Sequence, residues 1–292
     1  MTRRASPWSA LAGVLAALAI AGSAAAAPPV WVVRDKDSEI VLFGSVHVLP
    51  PGLDWEPAVL KQAVAHADDI WFELLVDPGT EADTARLATT LGVLPPDQSL
   101  FKLLPKTDAE RLGRVAQALD TSPMLLDRLK PWLAEIALAG AAYRKAGAET
   151  GLGVEQALSA EAPSHARRRA FETPAEQLAI FADTPMSEQL ASLHESLKEL
   201  EEDPNEFATL IHAWIAGDVA GLDREALQPL RQASPDLFRR VVTARNDRWI
   251  KILEARLKGH GRTVVVVGVG HLVGAEGLPA RLRALGYSVQ GP

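Results

Sequence analysis

Two stretches of this sequence end in the same way. "VLFGSVH" (41–47) and "VVVVGVGH" (264–271) each run apolar residues into a glycine and place a histidine three positions later. A third apolar run, "DDIWFELLV" (68–76), carries Glu73 in its middle. An ionised carboxylate among such neighbours needs a cation, a metal or a shared proton, because burying an unpaired charge is costly. Two imidazoles and one carboxylate form a ligand set for a divalent ion that keeps positions open for water. Such an ion lowers the pKa of its water and polarises a carbonyl. Without a metal, His47 serves as a general base oriented by Glu73. A lone G-x-x-H marks a turn and packing; it is the matched pair, with a carboxylate, that points to a site.

These side chains meet only if the elements beneath them are neighbours. "VWVVRDKDSEIVLFG" reads as a β-hairpin: a strand from Val30, a polar turn at 35–38 and a return strand over 40–43. "TVVVV" is apolar throughout after its threonine and predicts a central strand buried on both faces. If the runs ending near Gly44, Glu73 and Gly268 are parallel neighbours, His47, Glu73 and His271 share the crevice beyond their carboxyl ends, where open α/β sheets bind ligands. The two glycines are expected to allow tight bends at those ends.

Between the outer strands the pattern is helical. Helices are expected over roughly 80–92, 107–120, 122–146, 154–162, 174–202, 205–227 and 235–258, with one short strand at 169–172. A helix near 278–285 and the strand "YSVQ" close the chain. The predicted fold is α/β, a central, mostly parallel sheet made by both chain ends and covered by a large helical middle region.

The first 27 residues read differently. Arg3 and Arg4, the apolar run "LAGVLAALAIAG" and the A-x-A sites in "SAAAAPP" have the order of a signal peptide, which leaves residues 28–292 as a single domain. Export to the periplasm or medium of a Gram-negative cell is the expectation, with no stable membrane span after cleavage, because the run is shorter than about 20 residues. The formal net charge is −7, a poor match for nucleic acid. There is no cysteine, so neither a disulfide framework nor a lipid-anchored amino terminus is available. A 48% hydrophobic composition is enough to build a core by packing alone.

"GSVHVLPPGLDWEPAVLKQAVAHADDIWFEL" resembles the opening of the TraB/GumN family, which includes the Tiki metalloproteases, and "RNDRWIKILEARLKGHGRTVVVVGVGHLVGAEGLPARLRALGYSV" is similar to its close. "GVEQAL" and "AFETPAEQLAIF" look like the family's central blocks. Two departures stand out: Ser45 where relatives often carry threonine, and Leu75 where an acidic residue often follows the Glu-Leu, with Asp77 as its replacement. The resemblance implies an EreA/ChaN-like fold with a site on the two histidines and the glutamate. In the Tiki branch it implies proteolysis dependent on a divalent cation of the manganese, cobalt or zinc type, held by His47, Glu73 and His271. In the erythromycin esterases it implies metal-free ester hydrolysis, and in the ChaN-like lipoproteins non-catalytic haem binding. The expectation is a hydrolase of peptide or small ester substrates. Haem is disfavoured because neither Tyr143 nor Tyr287 stands in a motif.

Four residues are expected to carry the chemistry: Glu73, Glu172, Arg245 and Asn246. The last two enter through the resemblance, Arg245 to stabilise an oxyanion and Asn246 to orient substrate or a ligand. The competing reading of "VTARNDRW" is an ordinary solvated helix face. Glu172 points either to the crevice or to one of Arg167, Arg168 and Arg169, while Thr173 with Glu176 forms a capping box. His66, His165, His194, His212 and His260 have no matched partners in the pattern and read as surface or packing. Trp71, Trp132, Trp214 and Trp249 read as core.

Overall fold

The computed structural model describes residues 27–149, 151–203 and 205–292, so the expected signal peptide lies almost wholly outside the described residues. Six strands form one sheet: β1 Val30–Arg34, β2 Ser38–Ser45, β3 Asp69–Phe72, β4 Arg167–Ala170, β5 Gly261–Gly268 and β6 Ser288–Gln290. Their order is β4-β3-β5-β2-β1-β6. The hairpin is present as β1 and β2, and β6 extends the sheet antiparallel to β1. β2, β5, β3 and β4 are parallel in that spatial order. β5, the apolar run, is therefore central, with Val264 to Val267 buried on both faces.

The helical middle covers this sheet, as its sequence predicts, but proline and glycine cut the helices shorter than periodicity alone implies. The 122–146 segment divides into Pro123–Leu126 and Pro131–Lys145, and the 174–202 segment into Pro174–Ala182 and Met186–Glu202. Each new helix has proline at or just before its first turn, where the missing N–H costs nothing and the preceding residue is pushed out of the helical region. The 205–227 segment breaks at Gly217, which takes a left-handed φ of 68°. The strand expected at 169–172 lies two residues earlier, because it registers on β3 with Phe72 opposite Ala170.

The main core joins both faces of the sheet to the helices, and a second apolar cluster (Leu100, Leu112, Leu126, Leu138, Leu193, Leu197) holds the middle helices together. All four tryptophans read as core are buried. Trp214 also donates from Nε1 to the Gly44 carbonyl at 2.8 Å, tying the helix Glu206–Ala216 to β2.

Candidate functional site

The carboxyl ends of the three central parallel strands align. Ser45 of β2 pairs with Gly268 of β5, and Phe72 of β3 pairs with Val266. β3 ends at Phe72, so Glu73 follows the strand rather than lying inside it, while His47 and His271 stand two and three residues beyond the ends of β2 and β5. The two glycines serve close approach rather than bends, and neither has a positive φ. A Cβ on Gly44 would meet Val269 Cγ2 at 2.7 Å. Gly268 donates its N–H to Glu73 Oε1 at 2.7 Å, and a Cβ there would press on the same oxygen.

Arg245 gathers the buried half of the site. It enters from the helix Ala244–Leu257, just after the π-helical turn Arg239–Thr243. Its Nε donates to both Glu172 oxygens, at 2.9 and 3.1 Å. Nη1 reaches the Val241 carbonyl at 3.2 Å and His271 Nε2 at 2.9 Å. Nη2 binds Glu73 Oε2, and Glu172 Oε2 at 2.7 Å. All five guanidinium N–H groups are thus occupied. The expected oxyanion role for Arg245 does not match this geometry, since no donor remains to turn toward a substrate. Asn246 is likewise spent: Nδ2 donates to the carbonyls of His271 and Glu276, and Oδ1 sits 2.8 Å from His271 Nδ1. The amide is oriented by those two carbonyls, so Oδ1 accepts and His271 carries its proton on Nδ1. Asn246 orients a histidine rather than a substrate. Trp249 packs on both partners, 4.7 Å from the Arg245 guanidinium and 4.4 Å from the imidazole.

Glu172 points to the crevice end and pairs with Arg245 and Arg248, not with Arg167–Arg169. Arg167 and Arg169 instead pair with buried Asp69 while remaining exposed to solvent. Thr173 and Glu176 form the expected capping box. His194 does find a partner, Asp108, at 2.9 Å, well down the helical middle.

Burial works against ionisation of Glu73, but Arg245, His271, His47 and the Gly268 N–H outweigh it and hold its pKa at about 2. His271 is pushed down to about 3: burial dominates, Arg245 and His47 add to it, and Glu73 opposes. The buried half therefore contains an ionised Glu73, a neutral His271 and a saturated arginine.

His47 stands on the open half. Its Nδ1 lies 2.7 Å from Glu155 Oε1, and the ring is 73% exposed. Ser45 Oγ donates to the same oxygen at 2.6 Å. Glu155 comes from the first turn of the helix Val154–Glu161, drawn in by the Val154 N–H on the Val46 carbonyl. Gly153 permits that approach, since a Cβ there would lie 2.1 Å from the His47 carbonyl oxygen. Glu155 raises the His47 pKa to about 9; partial desolvation and Arg245 act against it, and Glu73 assists. Water around the exposed ring screens part of that attraction. Glu155 itself is lowered, because His47 and Ser45 overcome its burial.

His47, Glu73, Glu155, Gln156 and Gln177 line one cleft of about 460 Å³, walled by Leu74–Val76 and by the helix Pro78–Gly92. Gln177 donates to Glu73 Oε2 at 3.0 Å. Glu155, Gln156 and Gln177 were not singled out by spacing, although "GVEQAL" and "ETPAEQ" contain them; the glycine before an acid-bearing helix start is the signal that marks Glu155.

Expectation placed a divalent ion on His47, Glu73 and His271. Among the described residues no group of three or more His, Asp or Glu side chains is gathered closely enough to hold one. The His271 Nε2 lone pair and Glu73 Oε2 already face the Arg245 guanidinium, and Glu73 Oε1 faces Gly268. This arrangement does not fit a three-ligand metal site. The cation it holds is arginine.

A profile of the TraB/PrgY/gumN family matches residues 29–291. The chain belongs to the TraB/PrgY/gumN family. Among curated TraB/PrgY/gumN-type relatives, the Escherichia coli (strain K12) protein YbaP, described as uncharacterized, is 24% identical over 257 residues, covering 88% of this chain and 92% of its own length. The YbaP of Shigella flexneri, also described as uncharacterized, is 25% identical over 243 residues, covering 83% and 87%. No solved structure matches the chain.

Proposed function

We propose that this protein is a hydrolase of peptide or ester bonds working at the cleft between His47 and Glu73. One observation carries the reading: Glu155 holds His47 Nδ1 at 2.7 Å, which leaves Nε2 without a protein partner, among the described residues, on an open cleft. A carboxylate on one ring nitrogen fixes the tautomer and supports the charge that appears when the other accepts a proton. Neutral His47 takes a proton from water as its oxygen bonds to the substrate carbonyl carbon. Collapse then breaks the bond to the leaving nitrogen or oxygen, which receives that proton. Gln156 and Gln177 are the lining amides, and the Gln156 amide and the Gln177 N–H not given to Glu73 are the donors for the developing oxyanion. Arg245, Glu172, Asn246 and His271 keep Glu73 ionised and in place beside them. Family membership also supports the reading, at the level of fold.

The test is hydrolysis of nitrophenyl esters and a mixed peptide pool by protein before and after chelation, with His47→Ala and Glu155→Gln alongside. Chelator-resistant turnover that is lost in His47→Ala is expected. Turnover that appears only with added manganese, cobalt or zinc would move the chemistry to a metal. Haem or metal binding without turnover would make the chain a non-catalytic binder.

We propose further that the chain is exported and that residues 1 to about 27 are removed. Among the described residues no helix is long and apolar enough to cross a membrane.

A further inference from the structure

The helix Pro78–Gly92 is fifteen residues long yet buries only Gly92 in the core. One of its faces is turned to the cleft instead: Thr80, Thr84, Ala85 and Ala88 recur at three- to four-residue spacing and line it. Leu75 and Val76, from the segment after β3, line the same cleft, and Leu75 is a large apolar side chain left 38% exposed. The small alanines leave room, and the leucine and valine give that room an apolar wall. The charges point one way too. Glu73 is held by Arg245 and Glu155 by His47, while Glu81, an exposed lining residue, has no ion pair among the described residues. His47 is the one cationic side chain among the cleft's lining residues.

We infer that Leu75, Val76, Ala85 and Ala88 form a subsite selecting an apolar, uncharged acyl group or side chain next to the scissile carbonyl. The inference rests on the hydrolase reading and adds its substrate class. An apolar group entering here leaves water for a leucine- and alanine-lined wall, and a carboxylate entering here meets the excess negative charge of Glu81.

The experiment compares nitrophenyl acetate, butyrate, octanoate and hydrogen succinate, and in parallel measures binding of octanamide by calorimetry. Wild-type kcat/KM is expected to rise from acetate to octanoate by up to about fourfold per buried methylene. Butyrate should exceed succinate at least tenfold, a gap that narrows in Glu81→Gln. In Ala88→Phe, and in Ala85→Leu at a more exposed position, the octanoate-to-acetate ratio should fall tenfold or more, with octanamide binding weakened in step. Melting curves identify any variant that does not fold. A flat chain-length profile with unchanged ratios in both variants overturns the subsite while leaving His47-dependent hydrolysis intact. Absent turnover combined with octanamide binding that Ala88→Phe weakens overturns the hydrolase reading and keeps the subsite.

Discussion

Arg245 Nη1 lies 2.9 Å from His271 Nε2, and the same guanidinium holds Glu73 and Glu172. One arginine thus takes the lone pair and the carboxylates that a divalent ion would otherwise claim. This makes Arg245 a structural cation at the base of the cleft.

Removing it should be costly. Arg245→Met leaves two buried carboxylates facing each other, and breaking such a pair from one side costs about 3–5 kcal/mol. Urea unfolding at pH 7 measures the loss. A change under about 1 kcal/mol would show that the network is not the support described.

The acid limb of stability should carry a His271 signature. Its pKa is about 3 in the folded chain, below the ordinary 6.5, so between those values the unfolded chain binds the extra proton. Its contribution is complete above pH 6.5 and is lost as pH falls toward 3, by up to about 1.4 kcal/mol per pH unit. Glu73, held at about 2, adds the same sign of slope only below about pH 4.5. Stability measured from pH 7 to 5 should therefore be flatter in His271→Gln than in the wild type. Parallel curves would contradict a neutral, buried imidazole.

The catalytic profile should be alkaline. Glu155 raises His47, so the neutral base forms only well above pH 6.5, and the rising limb of kcat/KM should sit there. Glu155→Gln should move that limb down toward 6.5 while lowering the plateau, because the ring loses its charge partner. A limb that stays in place would separate His47 from the rate.

Gly153 should be intolerant although its φ of −67° suits any residue. In Gly153→Ala the new methyl meets the His47 carbonyl, at a cost of about 1–3 kcal/mol, and pushes Glu155 away from the ring. Loss of activity beyond the loss of stability is expected. Gly113→Ala, on a helix with open space around it, is the control and should gain up to about 1 kcal/mol.

Intact-mass measurement of protein recovered from a Gram-negative host should show a mature start near Ala27 or Pro28. A full-length mass in the soluble fraction would contradict export by cleavage.

Much of the fold was legible from sequence because it rests on local, periodic patterns. The four valines of "TVVVV" have to be central, since only a strand covered on both faces buries every side chain of such a run. Placing β5 between β2 and β3 then delivers His47, Glu73 and His271 to one end of the sheet. Which groups pair there is a different kind of fact. Glu155 reaches His47 because Gly153 lets a helix start close on a strand end, and Arg245 spends its N–H groups on Glu73, Glu172, His271 and the Val241 carbonyl. Periodicity carries no information on such contacts, because an ion pair is decided by distance and burial after the chain has closed. That two histidines and a glutamate lie at one end of the sheet was therefore written in the spacing, and the tertiary structure alone decided that the buried cation is an arginine and the partner of His47 is Glu155.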